Sequence, residues 1–426
     1  MDQGNTGFIL ISAALVLLMT PGLAFFYGGM VKAKSVVSMM MLSFGSMGLV
    51  GVLWVIYGYA ISFSNAGVGD FKGIDGWFGI DFNSLFLNAQ VDQALGDPAA
   101  ITSGHPDLAF VAFQAVFAII TVALISGAIA DRAKFGAWMV FAGVWVTLIY
   151  FPVANWVFNF TLTDGKVTDG GWIVYNLGVH DFAGGTVVHI NAGAAGLALA
   201  IVLGKRFGFS KGITQPHNVP LTLLGAGLLW FGWFGFNAGS EIAADGLASI
   251  AFINTLSAPA AAMLGWLIVE KFKHGKATSI GAASGAVAGL VAITPACDIL
   301  SPGWGLVLGV VAGALCALAV DLKFALGFDD SLDVVGIHLV GGIFGTLFIG
   351  VFGRGIGVID SGSWNQLGAQ AIGAGAVLVY SFIGAFIIGF VVEKTMGFRV
   401  KAEDEIAGID TVVHGEEAYA FGGAHV

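Results

Sequence analysis

The sequence predicts an all-α polytopic membrane protein: eleven transmembrane helices, arranged as two inverted five-helix halves plus an eleventh helix. Three observations predict it. Hydrophobic residues make up 57% of the 426-residue chain and charged residues only 10%, against about 25% charged in an ordinary soluble protein. Apolar runs of about 20 residues, the length that crosses hydrocarbon as a helix, recur between polar breaks. Basic residues fall almost entirely on alternate connections. With a mean hydropathy of +0.89, most of the chain must have lipid as its solvent. The 65 glycines, about twice the usual share, point to helices that pack closely. Cys297 and Cys316 form neither a disulfide framework nor a metal-spacing motif. A net charge of −10 does not suggest a nucleic-acid partner.

The spans fall near 7–31, 36–63, 107–130, 135–157, 184–204, 219–240, 247–270, 277–296, 303–320, 334–353 and 367–393. The opening MDQGNTGFILISAALVLLM lacks the basic n-region of a secretory signal. Its apolar run continues to Phe26, so it reads as the first span, with a leader as the alternative. Connections 32–35, 131–134, 205–218, 271–276, 321–333 and the tail after 393 hold all the Lys and Arg residues except Lys72, Lys166 and Arg354. A missed or invented span would scramble that alternation. The positive-inside rule then places the N-terminus outside and the C-terminus in the cytoplasm. Residues 1–395 form the membrane domain, with halves at about 7–204 and 219–353 and the extra helix at 367–393. Residues 396–426 form a polar cytoplasmic tail that either docks on the inner face or stays disordered. The long outer loop 64–106 carries Asp70, Asp75, Asp81, Asp92 and Asp97. It reads as a solvated cap or as a weak attractor of cations.

A short repeat is hidden in the spans. His189-Ile-Asn-Ala-Gly193-Ala-Ala-Gly196 and His338-Leu-Val-Gly-Gly342-Ile-Phe-Gly345 share the pattern H-x3-G-x2-G. The first lies in span five, the second in span ten. Each follows a carboxylate: Asp181 eight residues before the first His, Asp333 five before the second. Spans 1–5 and 6–10 thus form two halves, and because five is odd the halves enter the membrane in opposite directions. Inverted repeats place their sites near the midplane, between the halves. Two equivalent histidines can meet there, with the glycines letting partner helices close in beside each ring.

Histidine is the ionisable side chain least costly to bury neutral, given its reference pKa near ~6.5. A neutral ring offers one donor and one acceptor, and two adjacent rings can share a hydrogen bond and still serve a small solute or a proton. An intramembrane His is a functional-site candidate; the alternative is a ring tied to a backbone carbonyl. Two His are too few for zinc, and no metal or other cofactor is expected. No nucleophile–base pair suggests an intramembrane enzyme.

Aromatics cluster in two spans. Phe113 and Phe117 share a face of span three, beside Gln114. Span six carries LLWFGWFGFNAGS, with Trp230, Trp233, Phe234, Phe236, Asn237 and Ser240. These rings read either as an interfacial belt or as the lining of a path. Aromatic faces attract a desolvated cation by about 2 kcal/mol, and a hydroxyl such as Ser240 can accept a hydrogen bond from an N–H donor. Together they suit a compact cation that must shed water.

DFAGGTVVHINAGAAG, the WFGFNAGS string at Trp233, ITPAC at Ile293, the Asp333–His338 string and HGEEAY at His414 closely resemble the ammonium transporter family (Amt/Mep/Rh), bacterial Amt branch. The resemblance runs from Phe8 to Tyr419, with the motifs in order. It implies the ammonium-transporter fold, a homotrimer with one pore per subunit, and a place in the cell membrane. His189 and His338 match the paired pore histidines, Phe117 and Phe236 the stacked aromatic gate, and Trp233 a pore-lining ring. Ser240 matches the hydroxyl of the outer ammonium site, to which Phe113 and Phe158 would contribute. Asp181 matches the carboxylate that supports that site without touching substrate. Gln114, Asn237 and Thr294 fall in matching strings with less defined roles. The resemblance implies that ammonium or methylammonium is recruited as a cation, that ammonium loses its proton near the gate, and that ammonia crosses along the histidines. Residues Glu403–Tyr419 resemble the cytoplasmic regulatory segment, the side from which a PII-type (GlnK-like) signal protein can block the pore.

One departure stands out. Many relatives carry tryptophan at the outer site, where this chain has Phe158 in Ala154-Asn155-Trp156-Val157-Phe158. Phenylalanine is the weaker cation–π partner, and Trp156 would point elsewhere on a helix. The rival functional readings are an ammonium sensor of the same fold and a proton-coupled transporter for another small solute.

Overall fold

The computed structural model describes residues 1–64, 76–98, 101, 103–163, 166–209 and 215–419. Asp70, Lys72, Asp75 and Lys211 lie outside them. Among the described residues there are eleven helices long and apolar enough to cross a membrane. They are α1 Gln3–Met30, α2 Val36–Ser62, α3 Asp107–Ile129, α4 Phe135–Phe158, α5 Gly185–Leu203, α6 Val219–Gly239, α7 Gly246–His274, α8 Ser279–Ala296, α9 Pro302–Leu326, α10 Val335–Phe352 and α11 Asn365–Met396. Each predicted span has its helix. The differences lie at the ends: α7 runs to His274, α11 to Met396, and α9 continues past a break near Asp321 to Leu326. An apolar run measures what lipid must cover. The helical hydrogen-bond ladder needs no lipid and carries on into charged, hydrated residues.

The alternation of connections is visible in what the tail touches. Residues 398–419 lie across the links that follow α1, α3 and α5. Lys134 N donates to Phe398 O (2.9 Å), and Val400 N to Arg132 O (2.9 Å). Arg399 reaches Leu203 O (2.9 Å) and Glu405 (2.9 Å), and Glu405 in turn accepts from Phe207 N (2.6 Å). Asp410 accepts from Val37 N and Ser38 N at 3.0 and 2.8 Å, capping the first turn of α2. Tyr419 contacts His217 and Asn218 just before α6. The tail up to Tyr419 is therefore docked, and it marks out one face of the protein, here the basic face.

The acidic face opposite is built from smaller pieces. Asp81 accepts from Asn83 N (3.0 Å) and Ser84 Oγ (2.7 Å), so this loop carboxylate is a cap. A short helix follows at Asn88–Leu95. Two antiparallel strands, β1 Phe160–Thr163 and β2 Lys166–Gly170, pair in the register Phe160↔Gly170 and Thr163↔Lys166.

The inversion of the halves follows from Arg206. It comes just after α5, yet it pairs with Asp329, just before α10, and with Asp131, just after α3. The end of α5 and the start of α10 therefore share the basic face. At the centre of the fold α1 packs on α6. Gly232 faces Met19 and the Leu15 carbonyl, and Gly235 faces Leu15 and the Ser12 carbonyl, where any Cβ would collide with backbone.

The same device joins α5 and α10. A Cβ on Gly193 would sit 2.5 Å from Leu339 N, and one on Gly342 would sit 3.1 Å from His189 Cβ. The glycines of the repeat thus let each helix lie against the other's histidine turn. Both histidine turns are wound wider than an α-helix, over Gly185–Ile190 and Val335–Leu339. In the first, His189 N bonds Gly184 O, five residues back (3.2 Å). Such bulges recur at functional sites; here they set the angle of each ring. Gly193→Ala should cost about 1–3 kcal/mol by overpacking, read as a lower thermal midpoint in detergent. Gly368→Ala, with open space around it, is the control. Equal midpoints for the two would refute this packing account.

Candidate functional site

The site begins where α5 starts. A helix end leaves its first N–H groups without partners, and in a lipid-embedded protein water does not supply them. Asp181 does: its carboxylate accepts from Gly184 N (2.9 Å), Gly185 N (2.6 Å), Thr186 N (2.8 Å) and the Thr186 hydroxyl. With so many donors on two oxygens, this side chain is committed to the backbone.

The equivalent carboxylate of the second half is Asp330, where the sequence reading chose Asp333. Asp330 lies eight residues before His338, as Asp181 does before His189, and it accepts from Val334 N (3.1 Å) and Val335 N (2.7 Å). Asp333 instead bonds Lys323 (2.6 Å). Its backbone has φ +65°, in the place that Gly184 takes with φ +110° in the first half. The left-handed turn into each helix is therefore common to both halves, and Asp tolerates it better than most residues. Equal spacing from the two histidines was the signal in the sequence that identifies Asp330.

His189 and His338, 149 residues apart, meet with Nδ1 atoms 3.3 Å from one another and ring centroids 5.4 Å apart. Both are buried. An Nδ1–Nδ1 hydrogen bond requires a proton on one ring and a lone pair on the other. The partner with Nδ1–H then has Nε2 as acceptor, and the other has Nε2–H as donor. His189 Nε2 is buried with no hydrogen-bond partner among the described residues.

Aromatic rings close one side of this pair. Trp233 stacks on His189 at 5.5 Å, and its Nε1 donates to Thr294 Oγ1 (2.9 Å), which fixes the ring. Asn237 joins the same network, donating to Thr255 Oγ1 (2.9 Å) and accepting from Thr294 (3.3 Å). Phe236 lies 6.2 Å from His189 and stacks on Phe117 at 4.1 Å with planes 20° apart. Phe113 tilts against Phe117 at 4.8 Å and is fully buried; Phe158 meets Phe117 edge-on at 6.2 Å. Ser240 Oγ donates to Phe236 O (2.8 Å), which leaves its lone pairs for another donor. Gln114 is buried on the same helix as the two Phe. Trp156 turns away, onto Trp77, Trp172 and Tyr380. Phe113, Phe117, Phe158, Phe236, Trp233 and the two histidines thus form one connected set of ring contacts, while Phe234 stacks instead on Phe252 and Trp230 bonds Thr255 O. The Thr294–Asn237–Thr255 chain, which holds Trp233 and α6, is an addition from the structure. Towards the basic face there is a cavity of about 600 Å³, edged by Lys32, Arg206, Ser284, Lys323 and Asp333.

Eleven spans in inverted halves, with two buried imidazoles in contact beside stacked aromatic rings, define a multi-pass membrane protein of the transporter class. The Ammonium Transporter Family model matches residues 7–419, and the chain belongs to that family, a transport family rather than an enzyme family. The ammonium transporter of Mycobacterium tuberculosis strain H37Rv is 54% identical, over 99% of this chain and 91% of that protein. Among solved structures, Candida albicans Mep2 aligns with TM-score 0.84 and 32% identity, over 95% of this chain and 88% of that one. A structure described as a Sensor Amt Protein aligns with TM-score 0.85 and 29% identity, over 96% and 98%.

Asp181→Ala should lower stability by about 2 kcal/mol, since it removes a cap and strands buried donors. Asp181→Asn keeps one acceptor oxygen and should lose less. Thermal unfolding in detergent orders the three proteins; an unmoved midpoint in the Ala variant would show that other acceptors suffice.

Proposed function

We propose that this protein moves ammonium across the cell membrane by taking up the cation and passing ammonia. The acidic mouth faces outside, and the tail lies in the cytoplasm, as the distribution of Lys and Arg supports. Ammonium is recruited between Ser240, which accepts an N–H, and the rings of Phe113 and Phe158, with Asp181 holding the surrounding backbone. The Phe117–Phe236 stack is the gate. A bare cation is very costly in an apolar interior, whereas small neutral ammonia costs far less. The proton is therefore shed near the gate, and ammonia follows the histidines inward. Potassium has no proton to give and is refused.

The observation that carries this reading is the 3.3 Å contact between His189 and His338 directly behind the stacked phenylalanines. One free acceptor and one free donor suit ammonia, which both accepts and donates. An unpartnered buried ring nitrogen such as His189 Nε2 costs about 1–3 kcal/mol, which supports a working rather than a structural role. The protein is further proposed to act as a homotrimer, with a PII-type signal protein reaching the basic face where the tail is docked. The likeness to a Sensor Amt Protein supports a second reading, in which the same site reports ammonium to a partner.

Ammonium flux into proteoliposomes decides between them, with His189→Ala and His338→Ala beside wild type. Each variant should transport less or admit potassium. Unchanged flux and selectivity in both would end the twin-histidine assignment, and wild type with no flux would favour the sensor. Separately, Phe158→Trp should lower the apparent KM for methylammonium, because indole holds a cation more strongly than phenyl. An unchanged KM would remove Phe158 from the recruiting site.

A further inference from the structure

The two faces of the protein are built on one plan, and one pair departs from it. His180 precedes the cap Asp181 as Asp329 precedes the cap Asp330. Asp298 lies two residues past the end of α8 as Asp131 lies two past the end of α3. Two backbone bonds fix this register: Phe182 N to Pro295 O at 3.2 Å, and Ser331 N to Ala128 O at 3.3 Å. On the basic face the two places hold carboxylates, Asp329 and Asp131, and the Arg206 guanidinium bridges them at 2.9 and 3.2 Å. On the acidic face one place is an imidazole, and the pair closes directly: His180 Nε2 lies 3.0 Å from Asp298 Oδ1.

His180 is also gripped by its backbone. Its N–H donates to Gln370 Oε1 and its C=O accepts from Gln370 Nε2, both at 2.8 Å. The backbone that carries the ring, and runs on through Asp181 into α5, is thus held to α11. Its side chain is 28% exposed and that of Asp298 11%, enough for protons from the acidic side to reach the pair. Asp298 closes α8, the helix whose Thr294 fixes Trp233 over His189.

We propose that His180 and Asp298 are a positioning pair for conduction, a titratable clamp that ties the His189 helix to the Trp233 support and loosens as external pH rises. This rests on the conduction reading above. The neighbouring groups bear on the direction. Burial lowers the affinity of His180 for its proton, but the Asp298 carboxylate, with Asp181 adding a little, outweighs it and the pKa rises above the ordinary histidine value. The imidazolium–carboxylate clamp is thus complete at acid pH and weakens as pH climbs through that raised value, leaving a neutral hydrogen bond. Arg206, in the matching clamp, stays charged throughout. The other groups facing Asp298 are the Cys297 thiol and Glu241, with Asp245 beside Glu241. Burial, then Asp245 and Asp298, push Glu241 up to about 7, so it needs its own control.

The test is ammonium flux into proteoliposomes of the full chain, with external pH stepped from about 5.5 to about 8, across the range of histidine titration. Wild type and Glu241→Gln should both lose flux severalfold over that range. His180→Leu should be low and flat. His180→Arg, which copies the permanent charge of Arg206, should be high and flat. A His180→Arg profile that still falls like wild type overturns the proposal, as does a His180→Leu variant equal to wild type at every pH. Should His180→Leu fail to fold, His180→Arg against wild type decides alone. A Glu241→Gln profile that becomes flat assigns the titration to Glu241 and overturns it too. Wild type without flux at any pH would sink the conduction reading and this inference with it; intact flux with an unaltered His180→Arg profile sinks the inference alone.

Discussion

Two helices of this protein begin among buried residues, and their unpaired N–H groups are the constraint on which the rest depends. Backbone donors removed from water must be met by the protein itself. Asp181 and Asp330 meet them, one in each half. Because each carboxylate is fixed to its helix start, each histidine eight residues on is fixed as well. The glycines that follow allow the two helices to touch, and the imidazoles meet between them.

The scaffold is nearly symmetric, but its mouths are not. Towards the acidic face Phe113, Phe117, Phe158, Phe236 and Trp233 pack beside the imidazole pair, with Phe117 and Phe236 stacked. The basic face has an open cavity with Lys and Arg at its edge and Ser284 on its wall. An inverted repeat supplies the same backbone twice; direction comes only from the side chains placed on it.

The tail adds a third layer. It holds the links after α1, α3 and α5 with backbone bonds and a few charged groups, among them Asp410 on α2 and Glu405 between Arg399 and Phe207. Phe207 adjoins Arg206, the bridge between Asp131 and Asp329. The docked segment therefore reaches the clamp of the basic face through one hydrogen bond, from Phe207 N to Glu405, and one peptide bond, from Phe207 to Arg206.

The sequence by itself determined the spans, their number and the inversion of the halves. Lipid leaves little freedom: an apolar run of the right length has to be a helix, and an odd number of runs per half has to invert. It also singled out the histidines, because an ionisable ring in an apolar run stands out wherever it folds. Of the carboxylates before His338, the nearer one, Asp333, is the left-handed residue and turns to Lys323, while Asp330 caps the helix. Only the tertiary structure decided which nitrogens of His189 and His338 face one another, and that Thr294 steadies Trp233. Those are distances between residues far apart in the chain, set by how closely glycine lets two helices approach, and no local pattern encodes them.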